Sequence, residues 1–211
     1  AGRRYPDPVT HNAQPTRFRL TRMAPRDPHE PHRTATTLEL FFDLVFVIAV
    51  SAVSSQLHHQ LAEAHWSGII TYGMLFFGIW WAWMNFTWFA TSFDTDDWLY
   101  RVLTVVQMAG VLLLAAGVGP AFNEGDFTLT VVGYVVMRVA LIAQWLRASR
   151  SAGKSRRATL FYAYGTAIVQ LFWLPFLLLP QELKVIGFLV LAAAELSVPV
   201  IAELRGQTPW Q

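Results

Sequence analysis

Ionisable side chains within apolar segments are the residues of this sequence best suited to chemistry. The segment Thr37–Ser55 (TLELFFDLVFVIAVSAVSS) is apolar enough to cross a bilayer, yet it contains Glu39 and Asp43, four residues apart. On a helix both carboxylates lie on one face. A charged side chain at the centre of a membrane span costs about 2.5–3.5 kcal/mol, so it normally faces protein or water and is paired. Glu39 suits a helix start, where an acid complements the helix dipole. Asp43 lies more than a turn further in, and we expect it to have a specific partner.

A second polar group is expected at the same membrane depth. The second apolar segment ends near Asn85, and the third begins near Arg101. We expect Arg101 to pair with Asp43 or Glu39, because bidentate pairing is the usual way to keep an arginine and a carboxylate in a low-dielectric setting. The alternatives are an arginine that extends to the interface and an asparagine that joins two helices. Together these residues predict a polar cluster in the inner leaflet.

The turn between these two segments, FDTDD, carries three acids: Asp94, Asp96 and Asp97. Hard oxygen ligands suit Mg²⁺ or Ca²⁺, but the spacing matches no EF-hand loop. Aspartate is also a preferred helix N-cap, so we expect Asp96 or Asp97 to cap the third helix.

Arg138 and Glu195 lie deeper, in the central parts of the fourth and sixth apolar segments. Those segments run in the same direction through the membrane, and the backbone depths of the two residues differ by only about 3 Å. We therefore expect the two side chains to form a pair. Pro199 removes the helical donor of the Glu195 carbonyl. A carboxylate beside a freed carbonyl resembles the broken-helix sites of transporters, whereas a tolerated kink beside a structural ion pair is the alternative.

Composition excludes several classes of function. The chain is 54% hydrophobic and 14% charged and has no cysteine, so it has neither disulfides nor a thiolate metal site. Its basic residues lie between the apolar runs, where they indicate topology rather than nucleic-acid binding. The outer cluster His58, His59, Glu63 and His65 has few features of a zinc site. No phosphate loop or nucleophile elbow is present, and we expect no enzymatic activity, no metal and no cofactor.

Six apolar runs of about 20 residues predict an all-α, polytopic transmembrane helix bundle. The predicted spans are Leu38–Leu57, Ser67–Ala90, Trp98–Val118, Phe127–Ala148, Ala158–Leu179 and Glu182–Glu203. Residues 1–36 contain seven Arg, six Pro and no apolar run, which predicts a disordered basic tail and leaves 37–211 as the transmembrane domain.

Lysine and arginine residues predict the orientation. They are concentrated in the tail, in the connection between the fourth and fifth spans, and at Arg205, whereas the opposite connections contain only Lys184. Cytoplasmic segments are enriched in these residues, so both termini are expected in the cytoplasm and the protein in the cell (cytoplasmic) membrane.

Three motifs resemble the bacterial low-temperature-requirement A (LtrA) family of integral membrane proteins. They are LELFFDLVFVIAV at Leu38–Val50, WWAWMNFTWFATSFDTDD at Trp80–Asp97 and YRVLTVVQMAGVLLLAAGV at Tyr100–Val118. The positions that match the family pattern are Glu39, Phe42, Asp43, Trp83, Asn85, Asp94, Asp96, Asp97 and Arg101. The resemblance implies a second set of helices after residue 211, so we expect this chain to be the N-terminal part of a longer protein. It implies an architecture but not a reaction.

Three functions fit these features. A secondary transporter or ion-coupled permease would use the buried charges as a polar pathway for a small solute or ion. A cation channel would place its pore along the first span, as a homo-oligomer, and FFDLVFVI also resembles the first-helix signature of a potassium-channel family. A membrane scaffold would use every buried charge structurally. All three have the lipid bilayer as a partner, and we favour the transporter because charges occur at several depths in different helices.

The predicted topology can be tested by site-directed labelling. Single cysteines introduced at Ser151 and Asn123 should react with an impermeant reagent from opposite sides of the membrane, Asn123 from outside. Labelling of both positions from the same side would contradict the six-span arrangement.

Overall fold

The computed structural model describes residues 20–25 and 36–205. These residues form seven α-helices, one short 3₁₀ turn at Gly153–Ser155 and a minimal pair of two-residue strands. The helices are α1 (Thr37–Ala62), α2 (Gly68–Ser92), α3 (Trp98–Ala116), α4 (Val118–Asn123), α5 (Thr128–Ser149), α6 (Arg156–Phe176) and α7 (Gln181–Arg205). The strands are β1 (Ala24–Pro25) and β2 (Phe93–Asp94).

Six helical segments are long and apolar enough to cross a membrane. They are Thr37–Ala62, Gly68–Ser92, Trp98–Asn123, Thr128–Ser149, Gly153–Phe176 and Gln181–Leu204, with α3 and α4 joined at Gly117 into one span. Large apolar side chains such as Leu44, Ile168 and Leu171 point outward from the bundle. The predicted all-α fold with six spans is confirmed, and the protein is a multi-pass membrane protein.

Helix starts follow from local capping. The Thr36 hydroxyl accepts a hydrogen bond from the Glu39 backbone N–H (3.2 Å), and the Glu39 carboxylate accepts one from the Thr36 N–H (3.3 Å). This reciprocal capping box satisfies two backbone donors that the first turn of α1 leaves free. Asp97 caps α3 by accepting from the Tyr100 N–H (3.0 Å). Glu39 is thus a helix-start residue, and the prediction that an aspartate of the turn caps the third span is confirmed for Asp97.

Residues 20–25 differ from the expectation of a disordered tail. Strand β1 pairs antiparallel with β2, and the Met23 side chain is buried. The Ser151 hydroxyl donates to the Met23 carbonyl (2.9 Å), and the Arg147 Nη2 donates to the Thr21 carbonyl (3.0 Å). These contacts attach residues 20–25 to the end of the bundle where α5 finishes. The rest of the predicted tail, 1–19 and 26–35, lies outside the described residues, as does 206–211.

Helix α5 packs against α2, α3 and α6 and is the most buried of the spans. Its backbone lies very close to that of α3, because a Cβ added to Gly133 would be only 2.5 Å from the Gly110 carbonyl oxygen and from the Leu114 nitrogen. A Cβ added to Gly110 would be 2.7 Å from the Gly133 carbonyl oxygen. Small residues allow this approach of two membrane helices, so the α3–α5 contact depends on the absence of side chains at both positions.

Substitution of Gly133 tests this contact. Gly133→Ala should destabilise the protein by about 1–3 kcal/mol, because the added methyl group overlaps backbone atoms that cannot move aside. Gly73→Ala in α2 is the matched control, since no atom lies within 4 Å of its added Cβ. Thermal unfolding in detergent should show a lower midpoint for Gly133→Ala only, and equal midpoints for the two variants would contradict the close approach.

Candidate functional site

The carboxylate of Glu195, in α7, is buried at the centre of the bundle and accepts four hydrogen bonds. Its Oε2 accepts from Trp81 Nε1 (3.1 Å) and from Arg138 Nη2 (3.2 Å). Its Oε1 accepts from the Tyr134 hydroxyl (3.0 Å) and from Trp173 Nε1 (3.2 Å). An ionised carboxylate has about four lone-pair positions, so these four donors saturate it.

Arg138 is the counter-charge, as the sequence predicts. Its side chain is 1% exposed and that of Glu195 is 2% exposed, so the pair is fully removed from solvent. The guanidinium also lies 4.7 Å from the ring centre of Tyr134, whose hydroxyl accepts a short hydrogen bond from Nη2. All the side-chain hydrogen bonds of Arg138 within the described residues use Nη2. The Nε and Nη1 atoms are buried without a partner in that part of the chain.

Gln170, in α6, is a second buried group with unmade hydrogen bonds. Neither its amide nitrogen nor its amide oxygen has a partner among the described residues. Tyr134 packs against Trp173 and Trp145 stacks on Tyr162, which sets the antiparallel register of α5 and α6. Gln170 lies one turn before Trp173 in α6, and Arg138 lies one turn after Tyr134 in α5. Because the two helices are antiparallel, Gln170 and Arg138 are at the same level of the bundle.

A small cavity adjoins this level. It has a volume of about 30 Å³ and is lined by Thr130, Tyr134 and Trp173 together with apolar side chains. The hydroxyl of Thr130 is buried and has no partner in the part of the chain that the structure describes. At roughly 10–15 Å³ for each water, the cavity has room for about two water molecules. The cavity is largely apolar and lies beside Tyr134 and Trp173, on the side of them that faces the N-terminal end of α5.

A separate buried polar contact joins α3 to α5. Gln107 Nε2 donates to Gln144 Oε1 (3.0 Å), and Gln144 Nε2 lies 3.4 Å from the Thr104 hydroxyl. Side-chain amides commonly connect membrane helices in this way. Sequence reasoning missed both glutamines, although their depth inside apolar spans was visible. It also missed the roles of Tyr134 and Trp173.

The predicted pairing of Arg101 with Asp43 or Glu39 is wrong. Arg101 forms a bidentate pair with Asp96, through Nε (2.7 Å) and Nη2 (2.8 Å), and both side chains are more than half exposed. Asp96 lies just before the first turn of α3, and this local partner is within easy reach of Arg101. The pKa of Asp96 is lowered, chiefly by the hydrogen bond from Arg101.

The other members of the predicted inner-leaflet cluster are also apart. Asp43 has a specific partner, as expected, but the partner is Trp83, whose Nε1 donates to it at 2.7 Å. Asn85 donates to the Trp81 carbonyl of its own helix (2.8 Å), so it does not connect Asp43 to Arg101. Asp43 is exposed and lies in an open, largely apolar groove between α1 and α2. The predicted cluster is therefore a set of local contacts.

Asp97 makes the strongest contacts of the turn between α2 and α3. Arg147 donates to both of its oxygens, at 2.8 Å for Nη1 and by a short bond for Nη2, and Thr21 donates through its N–H and its hydroxyl, each at 3.1 Å. Burial alone would raise the pKa of Asp97, but the hydrogen bonds from Arg147, Tyr100 and Thr21 outweigh it and lower the pKa to about 2. Asp94 lies in β2, where its backbone pairs with Ala24. Asp97 is thus an anchor for the segment before α1.

No group of three or more His, Asp or Glu side chains within residues 20–25 and 36–205 could hold a metal ion. His65 lies 3.4 Å from Glu63, and both side chains are exposed. The buried ion pair and the unpartnered atoms of Arg138 and Gln170 instead place the candidate site at Glu195, Arg138 and Gln170 in the centre of the bundle.

Six apolar spans around a buried ion pair define a multi-pass helical membrane protein. Residues 34–211 match the family described as "Bacterial low temperature requirement A protein (LtrA)", and the chain belongs to this family, as the sequence motifs indicate. It is 31% identical over 165 residues to the uncharacterized protein RA0937 of Rhizobium meliloti (strain 1021). That match covers 77% of this chain and 39% of the relative, so the chain spans well under half the length of that protein. No solved structure matches the chain.

The Arg138–Glu195 pair can be tested by a double-mutant cycle. Arg138→Leu and Glu195→Leu should each destabilise the fold by on the order of 3–5 kcal/mol, because each leaves an unpaired buried charge. The double variant should recover part of the loss in folded yield from detergent. Arg101→Leu is the control, because an exposed ion pair contributes only about 0–1 kcal/mol. Strictly additive losses would show that Arg138 and Glu195 do not interact.

Proposed function

We propose that this protein is a secondary transporter or ion-coupled permease, and that its solute or ion passes through the polar centre at Arg138, Gln170 and Glu195. The observation that carries the proposal is a set of buried polar atoms at one level of the bundle that have no partner among the described residues. They are Arg138 Nε, Arg138 Nη1, Gln170 Nε2 and Gln170 Oε1. Polar groups inside a membrane protein are normally satisfied, because nothing in the lipid can replace water as a partner. Unmade bonds at the centre of the bundle favour a site that receives a polar occupant.

In this proposal the pathway depends on the central site and not on the polar cluster that the sequence predicted in the inner leaflet. Arg101 and Asp96 form an exposed local pair, and Asp97 is occupied by Arg147 and Thr21. Neither pair leaves a buried donor free for a solute. The central site differs because its guanidinium is buried and only partly used.

The saturated carboxylate favours a second candidate function, that of a scaffold. Four donors on Glu195 come from α2, α5 and α6, which is the arrangement expected of a group that only holds helices together. A scaffold leaves the free nitrogens of Arg138 unexplained, and for that reason we favour transport.

We further propose that the protein lies in the cytoplasmic membrane with both termini in the cytoplasm and that it has no enzymatic activity. The absence of enzymatic activity is supported by a sequence with no phosphate loop and no nucleophile elbow. The orientation is supported by the distribution of basic residues. The connection from α5 to α6 contains Arg150 and Lys154, and Arg156 and Arg157 begin α6. The described connections at the other end of the bundle contain no Lys or Arg, and Lys184 follows within α7. An excess of Lys and Arg is typical of cytoplasmic connections, so the end of the bundle with the connection from α5 to α6 is expected to face the cytoplasm.

Flux measurements on the full-length protein in proteoliposomes test the function. The wild type should carry at least one species among protons, alkali cations, small anions and small neutral solutes. Arg138→Lys should lower that flux by about tenfold or more, because lysine cannot reproduce the guanidinium geometry and an unpaired buried acceptor costs about 1–3 kcal/mol.

Arg101→Lys makes the same chemical change at an exposed pair, and its flux should stay within about twofold of the wild type. Equal losses of flux in Arg138→Lys and Arg101→Lys would show that the central site is not part of the pathway. Absence of flux for every species in the wild type would favour the scaffold.

A further inference from the structure

The polar centre has more free donors than free acceptors. Within the part of the chain that the structure describes, Arg138 has one unpartnered N–H at Nε and two at Nη1, and Gln170 has two at its amide nitrogen. Among the described side chains at this level, the unpartnered acceptor is the amide oxygen of Gln170. Pro199 also leaves the Glu195 carbonyl without its helical donor. Even if each of these two oxygens accepted one of the five N–H groups, three N–H groups would remain. An occupant of this site must therefore be rich in acceptor atoms.

The charge of the site limits which acceptor can bind. The positive charge of Arg138 is already matched by Glu195, so an anion entering the buried centre would add an unbalanced negative charge. Taking a proton onto the Glu195 carboxylate removes that imbalance. The site is then neutral both without the anion, as Arg⁺ and Glu⁻, and with it, as Arg⁺, neutral Glu and the anion.

We propose, resting on the transport function above, that the occupant is a small monovalent anion and that it binds Arg138 and Gln170 together with one proton on Glu195. The proton comes from the aqueous phase and forms an O–H bond on the carboxylate. The Arg138–Glu195 ion pair is replaced by an Arg138–anion pair. When the anion leaves, the proton returns to water and the original pair re-forms. One anion and one proton move together, and no net charge crosses the membrane.

The neighbours of Glu195 are compatible with both protonation states. It is faced by Trp81 from α2, by Tyr134 and Arg138 from α5, and by Trp173 from α6. The two indole N–H groups can donate to a neutral carboxylic acid as well as to a carboxylate. The new O–H needs an acceptor, and the Tyr134 oxygen, 3.0 Å from Oε1, can accept it once its own hydrogen turns away. Arg138 and Tyr134 are the titratable groups among these four.

Anion binding to the detergent-purified full-length protein, followed by calorimetry, tests this inference. The probes are chloride, nitrate, formate and acetate as sodium salts, at pH 5 and pH 8. For the wild type at least one probe should bind more tightly at pH 5, with affinity changing by up to about tenfold for each pH unit, as linkage of one proton requires.

Glu195→Gln imitates the protonated acid at every pH. It should bind the same anion with equal affinity at pH 5 and pH 8. Glu203→Gln, two turns further along α7, is the matched control and should keep the pH dependence of the wild type. Gln170→Met preserves side-chain size but removes the amide. It should weaken binding by about tenfold without changing the pH dependence, because the anion loses a buried hydrogen bond.

Three results would overturn the inference: no binding of any probe by the wild type or by Glu195→Gln, the same pH dependence in both proteins, or no effect of Gln170→Met. Failure of the transport function gives a different pattern. If anions bind with this pH dependence but no species is carried in proteoliposomes, the anion site stands and transport fails. If flux of a cation or neutral solute depends on Arg138 while no anion binds, transport stands and the anion inference fails.

Discussion

The saturated carboxylate of Glu195 determines how four helices pack. It lies on α7 and takes hydrogen bonds from Trp81 on α2, Tyr134 and Arg138 on α5, and Trp173 on α6. Between membrane helices the hydrophobic effect gives little attraction, so packing and polar contacts decide their arrangement. A rotation of any of these helices about its axis would remove a donor from a buried negative charge. The mutual orientation of α2, α5, α6 and α7 therefore depends on this one group.

The pairing of Arg138 with Glu195 was predictable because depth can be counted along a helix. At 1.5 Å for each residue, two charges in parallel spans can be compared directly, and few partners exist in the hydrocarbon core. The same counting failed for Arg101 and Asp43. Depth does not say which way a side chain points around the bundle, and Arg101 had an acid five residues earlier. Near the interface many partners compete, so sequence alone could not choose among them.

Other parts of the structure depend on contacts that sequence composition does not predict. Tryptophan is enriched at membrane–water interfaces, so its presence in a span does not identify the indole donors of Trp81 and Trp173 at the centre. Residues 20–25 belong to a segment rich in Arg and Pro, a composition typical of disorder. These residues are fixed by Asp97, which accepts two hydrogen bonds from Thr21 and also accepts from Arg147. Only the three-dimensional position of that aspartate reveals the anchor.

The contact of Gly110 with Gly133 has a consequence for motion. Their backbones are so close that sliding or rotation between α3 and α5 would drive peptide groups into one another. The buried Gln107–Gln144 hydrogen bond resists the same displacement. The two helices therefore resist displacement relative to each other. If the centre opens as the proposed transport function requires, Tyr134 and Arg138 on α5 would keep their position relative to α3.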